Sequence, residues 1–352
     1  MSVWKLARLN FGRNPAHFGE VGIGIEETSE RVRSDTLFSA LTNAYARLEG
    51  KTEVENLLQR FLQSSQPPVR MSSTFIYRQN GEKSVYYLPR PLTLPKKYPQ
   101  RNDLEFFKEY KKLKYLPLEI WQRWYQGEGF TESDRAELSA KTKNESNKDG
   151  SLCNSGAFDY GSAYKIAQLP KIAVDRVTRA TNLYHTGLVQ FQWEEGLSGL
   201  YFLLQFPEAD KALENKLRAA LNLLGEDGLG GERSSGAGRF ELEWLELPKL
   251  WQQVVDFKGA THHSLISLFW DSSIPKELAD ASFYEIQERG GWIGSPFSGV
   301  QMRRKATQMF TEGSVFPIAP GGKLADVTPS GFTAHKIYRN GISFSLPIKV
   351  AE

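Results

Sequence analysis

The densest grouping of chemically capable residues runs Gly228-Leu-Gly-Gly-Glu-Arg-Ser-Ser-Gly-Ala-Gly-Arg239, with five glycines and two arginines. Glycine lets backbone N–H groups approach an anion with no Cβ in the way, and concave runs of such amides hold phosphate. Gly228, Gly230, Gly231 and Gly236 are the positions expected to do this, with Ser234, Ser235, Arg233 and Arg239 adding hydroxyl and charge-assisted contacts. A plain flexible turn is the alternative. The run lacks the GK[ST] ending of a triphosphate loop and follows a helix instead of opening one, which excludes the dinucleotide fingerprint as well.

His17 is the second candidate. It falls between the first expected strand and the first expected helix, and a histidine near neutral pKa can take a proton or face a phosphate. A general base also wants a second acid or a cation, and the sequence offers no obvious dedicated partner beyond Arg13 and Arg31. Met302-Arg303-Arg304-Lys305 is a short basic cluster, either a solvated face or an RNA contact. Lys96, Lys97, Arg101, Lys108, Lys111, Lys112 and Lys114 interleave with Phe106, Phe107 and Tyr110, which suits a nucleic-acid or subunit contact and equally an amphipathic helix packing its aromatics. His262 and His263 are adjacent, so in a strand they point to opposite faces and make a poor metal pair. No HExxH, GxSxG or kinase pattern is present, and no cofactor is expected.

The elements that must position these residues follow from periodicity. Residues 3–11 read as a strand, and a helix begins near Ser34, whose hydroxyl is placed to cap it while Asp35 suits its positive end. STFIYR and SVYYL flank Asn80-Gly81 as a hairpin. Residues 96–150 form an insertion, its second part, TESDRAELSAKTKNESNKDGS, polar enough to expect a mobile surface loop. GLVQFQW and GLYFLLQF follow as strands, then the helix ADKALENKLRAALNLLG with Gly225 as its stop, then the strand RFELEWLEL. IYR, Asn340-Gly341 and ISFSLPIKV read as a last hairpin, with Pro347 demanding an edge strand. This order suits an α+β fold, an antiparallel sheet with helices on one face. Domains are expected at 1–254 and 255–352.

Bulk composition sets only broad limits. With 352 residues, 40% hydrophobic and 24% charged, the chain has ample apolar content for a core, and a net charge of +3 decides nothing about nucleic acid. The single cysteine, Cys153, excludes an intramolecular disulfide and a cysteine zinc cage. The start lacks a basic leader with a long apolar core, and no stretch approaches a membrane span, so a soluble cytoplasmic protein is expected.

GLGGERSSGAGRFEL resembles the glycine-rich loop that RAMP proteins of CRISPR systems carry before the last strand of a ferredoxin-like domain. HFGEVGIGIEETSERVRSDTLFSAL resembles the opening of one branch, the Csm subunit that caps the guide-RNA 5′ end in type III-A complexes, through Gly19-Glu20, the turn at Glu26-Glu27-Thr28-Ser29, and Ser34-Asp35-Thr36-Leu37-Phe38. KATQMFTEGSVFPI resembles that family's C-terminal domain. The resemblance implies two ferredoxin-like (RRM-like) domains, the second diverged, and a non-catalytic subunit of an antiviral defence complex. It implies as partners the guide RNA (crRNA) 5′ handle, the large polymerase-bearing subunit, a backbone RAMP subunit, and target RNA near the guide 5′ end. It also implies a β-hairpin thumb, for which residues 174–193 are the candidate, with Arg176 and Arg179 meeting phosphates and Tyr184 and His185 stacking on an unpaired base. Two other readings stay open: a metal-independent guide-processing endoribonuclease using His17, and a pure protein scaffold.

Overall fold

The computed structural model describes residues 2–20, 24–64, 66–99, 104–143, 149–194, 196–297 and 302–350. In chain order the first part supplies β1 (Val3–Asn10), α1 (Ser34–Glu49), α2 (Lys51–Gln63), β2 (Arg70–Met71), β3 (Phe75–Asn80), β4 (Lys83–Pro89), α3 (Leu104–Lys112), β5 (Tyr115–Pro117), α4 (Leu118–Tyr125), α5 (Glu132–Thr142) and α6 (Ser151–Asn154). There follow β6 (Tyr164–Val174), β7 (Thr181–Phe191), β8 (Leu197–Phe206), α7 (Lys211–Asp227), β9 (Glu241–Glu246) and α8 (Lys249–Val255). A main sheet runs β5-β4-β3-β8-β1-β9, with β2 also on β8, and its pairings are antiparallel.

β8 explains why this sheet is covered on both sides. Leu200, Phe202, Leu204 and Phe206 face one core, under α1, α2 and α7, while Tyr201 and Leu203 face another. A strand buried on both faces reads as a continuous apolar run, as GLYFLLQF does. The second face is roofed by Phe106, Tyr110, Trp121, Trp124 and Leu138 of α3, α4 and α5, by Trp251 of α8, and by Phe344, Leu346 and Ile348 near the C-terminus.

The expected mobile loop after residue 130 is therefore corrected over Glu132–Thr142, which is helical. Thr131 accepts from Asp134 N–H at 3.2 Å, and Asp134 accepts back from Thr131 N–H at 2.9 Å, a reciprocal cap. Asp134 and Glu137 are buried yet paired: Asp134 accepts from Arg123 and Trp124 Nε1, and Glu137 from the amides of Leu152 and Cys153. Their polarity hid a buried face. Residues 144–148 of the same run lie outside the described residues.

Two turn assignments are also corrected. α7 continues through Gly225, which is buried inside it and lets the backbone oxygen of Phe240 approach to 2.5 Å of where a Cβ would stand; the helix stops at Gly228, φ +91°. The Asn340-Gly341 hairpin does not form. β15 (Tyr338–Asn340) pairs with β14 (Leu324–Asp326), whereas β16 (Ser345–Ile348) pairs with β10 (His262–Leu265) in the sheet β13-β10-β16. Gly341 accepts from Trp270 N–H and lies against its Cβ, so glycine serves a close approach there and not a tight turn. β16 is an edge strand, as Pro347 requires. The remaining C-terminal elements are α9 (Lys276–Asp280), the pair β11 (Ile286–Arg289) and β12 (Thr307–Phe310), and β13 (Val315–Phe316). Among the described residues no helix is long and apolar enough to cross a membrane.

Candidate nucleic-acid interface

A cavity of about 890 Å³ lies where α1, the segment before it, the glycine loop, Arg289, residues 292–297 and Arg304 meet. Six of the residues singled out from sequence line it together: His17, Gly228, Gly230, Gly231, Arg233 and Arg304. They are up to 287 positions apart in the chain, and sheet closure brings them together.

The glycine loop is a docked structure. Gly231 N–H donates to His17 O at 2.8 Å, Gly238 N–H to Pro15 O at 2.8 Å, and Leu229 N–H to Gly238 O at 2.8 Å. Gly236 N–H donates to Arg233 O at 2.9 Å, and Gly228 N–H to Leu224 O at 2.8 Å. The amides of Gly228, Gly231 and Gly236 are thus used within the protein, which corrects the expectation that these glycines present an open nest to phosphate. Their chemistry is steric: at Gly230, φ +102°, a Cβ would stand 2.2 Å from His17 O. Arg233, Ser234 and Ser235 form a short 3₁₀ turn on the exposed rim, and Lys171 Nζ reaches from β6 to Ser235 Oγ at 3.1 Å and to the Glu232 carboxylate. Arg239 is exposed just beyond.

His17 is nearly buried, and its Nδ1 meets Gly187 O at 2.7 Å. A carbonyl only accepts, so Nδ1 carries the proton and Nε2 is the ring atom with hydrogen-bonding capacity left. Gly19 and Gly231 crowd this edge of the ring, where a Cβ would fall 3.3 Å from Nε2 and 2.7 Å from Cδ2 respectively.

Ser34 is placed differently from the expectation. Its hydroxyl accepts from Leu268 N–H at 3.0 Å and its amide donates to Ser73 Oγ at 2.9 Å, so it ties α1 to the C-terminal part instead of capping its own helix. The residue is fully buried, with no phosphate-facing surface. The helix start is governed by Asp35, which accepts from Arg289 Nε and Nη2 at 3.0 and 3.0 Å and from Arg339 Nη1. Burial alone would raise the Asp35 carboxyl, yet the two guanidiniums hold it below its ordinary value. Alongside, Arg31 forks onto Glu312 at 3.1 and 3.1 Å, and Arg33 joins Glu312 to Glu20. Glu312 is likewise pushed up by burial and brought well below the carboxylate range by Arg31 and Arg33.

Arg289, Arg339 and Glu312 escaped the sequence reading. No local spacing marks any of them as the partner of Asp35 or Arg31. The visible signal was only the acid-base density of Glu20 to Asp35 itself.

The hairpin β6–β7 leaves the sheet near His17 and pairs from Tyr164↔Phe191 out to Val174↔Thr181. Residues 174–193 therefore hold only the turn and the second arm of the hairpin; its first arm starts at Tyr164. Its base is fixed by Ala16 and Val189, which exchange two hydrogen bonds at 2.8 Å, and by Gly187 N–H to Ile25 O at 2.9 Å. Eleven paired residues extend about 35 Å at ~3.3 Å each, and the outer part is bare. Ile172, Val174, Val177 and Leu183 are exposed, Val177 by 92%. At the tip Asp175 Oδ1 accepts from the amides of Val177 and Thr178 at 2.7 and 2.9 Å, and Arg179 takes a positive φ of 59°. Arg176 and Arg179 are exposed there, with His185 exposed and Tyr184 half-buried further down.

Other expected contacts scatter. Arg303 stacks over Trp292 at 5.1 Å and is exposed, as is Lys305. In the basic stretch, Phe106 and Tyr110 are buried while Lys108, Lys111, Lys112 and Lys114 stay exposed, the amphipathic-helix arrangement; Arg101 lies outside the described residues.

Comparison with known proteins agrees along the chain. Residues 258–348 match the family model of the CRISPR Csm4 C-terminal domain. A "CRISPR system Cms protein Csm4" of Thermococcus onnurineus is 26% identical over 328 residues, covering 91% of this chain and 92% of that protein. Its namesake in Methanocaldococcus jannaschii is 24% identical, covering 94% of each. The fold is similar to a chain of the Csm3-Csm4 subcomplex of a type III-A CRISPR-Cas interference complex, with a TM-score of 0.60 at 19% identity, over 98% of this chain and 99% of that one. A chain of a Csm1-Csm4 cassette in complex with cA4 superposes with a TM-score of 0.57 at 19% identity, over the full length of both.

Proposed function

We propose that this chain, which belongs to the Csm4 family of type III-A CRISPR effector subunits, is the non-catalytic subunit that holds the 5′ handle of the guide RNA. The observation carrying this is the shared cavity. His17 Nε2, Arg233 on the loop rim and Arg304 from the C-terminal part border one concave surface, next to an exposed hairpin long enough to reach a neighbouring duplex. Single-stranded RNA needs cations along its backbone and faces on which bases stack. Arg233, Arg239, Arg303 and Lys305 supply the first, and Tyr184 and His185 on the hairpin, with Trp292 at the cavity edge, supply the second.

The strand order β3-β8-β1-β9 with α1 and α7 as the two crossovers supports a ferredoxin-like reading of residues 1–254, with β4 to β7 as additions between its second and third strands. Residues 255–352 are the second, diverged unit on this reading. Similar chains occur in assemblies with Csm1 and with Csm3. A large polymerase-bearing subunit and a backbone RAMP subunit are accordingly the protein partners, target RNA meets the hairpin, and the setting is the cytoplasm.

The same His17 geometry would serve a general base. We favour binding because its side chain hydrogen-bonds only Gly187 O among the described residues, with no acid or cation joined to it. The test is handle binding by the full chain, wild type against the folded double variant Arg233→Ala/Arg239→Ala. Affinity should fall and its salt dependence should flatten, since each lost phosphate contact removes about 0.7 from the log–log slope. Unchanged affinity at moderate salt would sink the loop assignment, and repeat cleavage abolished by His17→Ala would install the nuclease in its place.

A further inference from the structure

Three guanidinium groups gather around one buried carboxylate, Asp35: Arg289 and Arg304 line the cavity and Arg339 lies buried behind them. Asp35 has only two oxygens, and both are taken by Arg289 and Arg339. Glu20 comes no nearer to this group than 3.7 Å, from Arg289 Nη1, and is itself hydrogen-bonded by Arg33 and Gln287 at 2.9 and 2.9 Å. Arg304 has no ion pair among the described residues. Among the described residues its side chain makes one hydrogen bond, a long one, Nη1 to Ser39 Oγ at 3.3 Å. Three N–H positions of the group are buried without an acceptor: Arg304 Nε, Arg339 Nε and Arg289 Nη1. Arg289 is 5% exposed and Arg339 1%.

Buried guanidinium donors left without acceptors, with positive charge in excess, are costly in any folded protein. Burial, and then repulsion from Arg339, outweigh the attraction of Asp35 and push the Arg304 guanidinium down to about 10. Such an arrangement is relieved by an anion with several acceptor oxygens, the geometry in which arginine binds phosphate. Elsewhere on the lining Glu55 lies 3.8 Å from Lys51 and Asp227 accepts from Arg47, whereas Arg304 is a half-buried cation on the lining without an ion pair among the described residues.

We infer that the Arg304 end of this cavity is a phosphate-binding subsite, in which Arg304 contacts the phosphate and Arg289, held by Asp35, positions it from behind. The inference rests on the RNA-binding reading for the source of that phosphate, a linkage of the guide's 5′ handle. The Trp292 ring beside Arg303 and the exposed Phe297 lie at the same end, where the attached base would stack. Arg304 is then the cation that the free protein tolerates and the complex needs.

Two measurements on the full chain test this, with inorganic phosphate and a single-stranded handle RNA as the probes, across wild type, Arg304→Met and Arg304→Lys. Removing an uncompensated charge should leave Arg304→Met at least as heat-stable as wild type without ligand. Phosphate should raise the wild-type Tm by about 2–4 °C at tenfold saturation and leave Arg304→Met unmoved, with Arg304→Lys between. Handle RNA should bind Arg304→Met with a salt slope lower by about 0.7. A fall in the Tm of unliganded Arg304→Met, together with equal phosphate shifts in both proteins, would make Arg304 a structural residue and overturn the subsite. Should wild type bind no RNA while the phosphate shift still depends on Arg304, the subsite stands with a free phosphate or nucleotide as its source, and the handle-binding reading falls alone.

Discussion

The arginines of the α1 junction and those of the hairpin tip are the same residue in opposite circumstances. Arg31, Arg289 and Arg339 are buried, forked onto Glu312 and Asp35, and join residues more than 250 positions apart. Arg176 and Arg179 stand on a turn organised by the side chains of Asp175 and Thr178, with no core beneath them. The first set determines whether the C-terminal part stays against α1. The second set holds no part of the core together and its side chains are exposed. Stability and binding should therefore separate cleanly between the two regions, and the separation can be attacked from either side.

The largest effect is expected at the junction. Removing one member of a buried ion pair leaves an uncompensated charge and costs about 3–5 kcal/mol. Glu312→Ala, which strands Arg31 and leaves Arg33 with Glu20 alone, should lower chemical-denaturation stability by that amount. The pH dependence has a definite sign. The folded Glu312 carboxyl titrates below its ordinary 4.5, so the unfolded chain binds the proton first. Its contribution is complete above 4.5 and is lost as the pH falls through that value toward the folded pKa. Wild type should lose stability steeply below pH 4.5, and Glu312→Gln should show a shallower decline from a lower plateau. Parallel declines would mean that the network does not couple to folding.

How far these differences could be read beforehand depended on whether the signal was local. β1, α1, the β3–β4 hairpin, α7 and β9 carry their apolar faces within one element, so periodicity reveals them. The Asn80-Gly81 turn works because β3 and β4 pair with each other across it, whereas Asn340-Gly341 has the same dipeptide between strands whose partners are β14 and β10. Nothing local distinguishes the two. α5 was hidden because its buried face carries Asp134 and Glu137, neutralised by Arg123 and by backbone amides that only the tertiary fold supplies. In the site, His17 and Gly228-Gly231 were visible by residue type and do come together. The amides of Gly228 and Gly231 are used inside the protein, a distinction that residue type does not carry because close packing and phosphate binding ask for the same residue.

The glycine loop offers an intermediate effect that sharpens this last point. Gly230 has a positive φ and its missing Cβ would collide with His17 O, while Gly236, φ +86°, has open space around it. Gly236→Ala should cost only the left-handed backbone penalty, about 1–2 kcal/mol. Gly230→Ala should cost more, because the loop must also move off His17, and it should weaken handle binding as Arg233 and His17 separate. Thermal unfolding with RNA anisotropy on the same pair checks both; equal losses at the two glycines would show that docking on His17 contributes nothing.

The smallest stability effect belongs to the tip, and there the smallness is the prediction. Arg176→Ala/Arg179→Ala removes two exposed side chains from a turn whose hydrogen bonds come from Asp175, Thr178 and the backbone. Unfolding free energy should stay within about 0.5 kcal/mol of wild type, as for surface changes away from special contacts. Arg179 sits at φ +59°, so its replacement by Ala keeps the same backbone strain and Arg179→Gly should stabilise slightly. If the hairpin meets RNA, the double variant should bind a handle-plus-guide RNA less tightly, with the loss confined to low salt, because exposed cations act through screened phosphate contacts. A stability loss as large as that of Glu312→Ala would erase the distinction between the two sets of arginines. An unchanged affinity at low salt would leave the exposed Ile172, Val174, Val177 and Leu183, and not the arginines, as the chemistry of that surface.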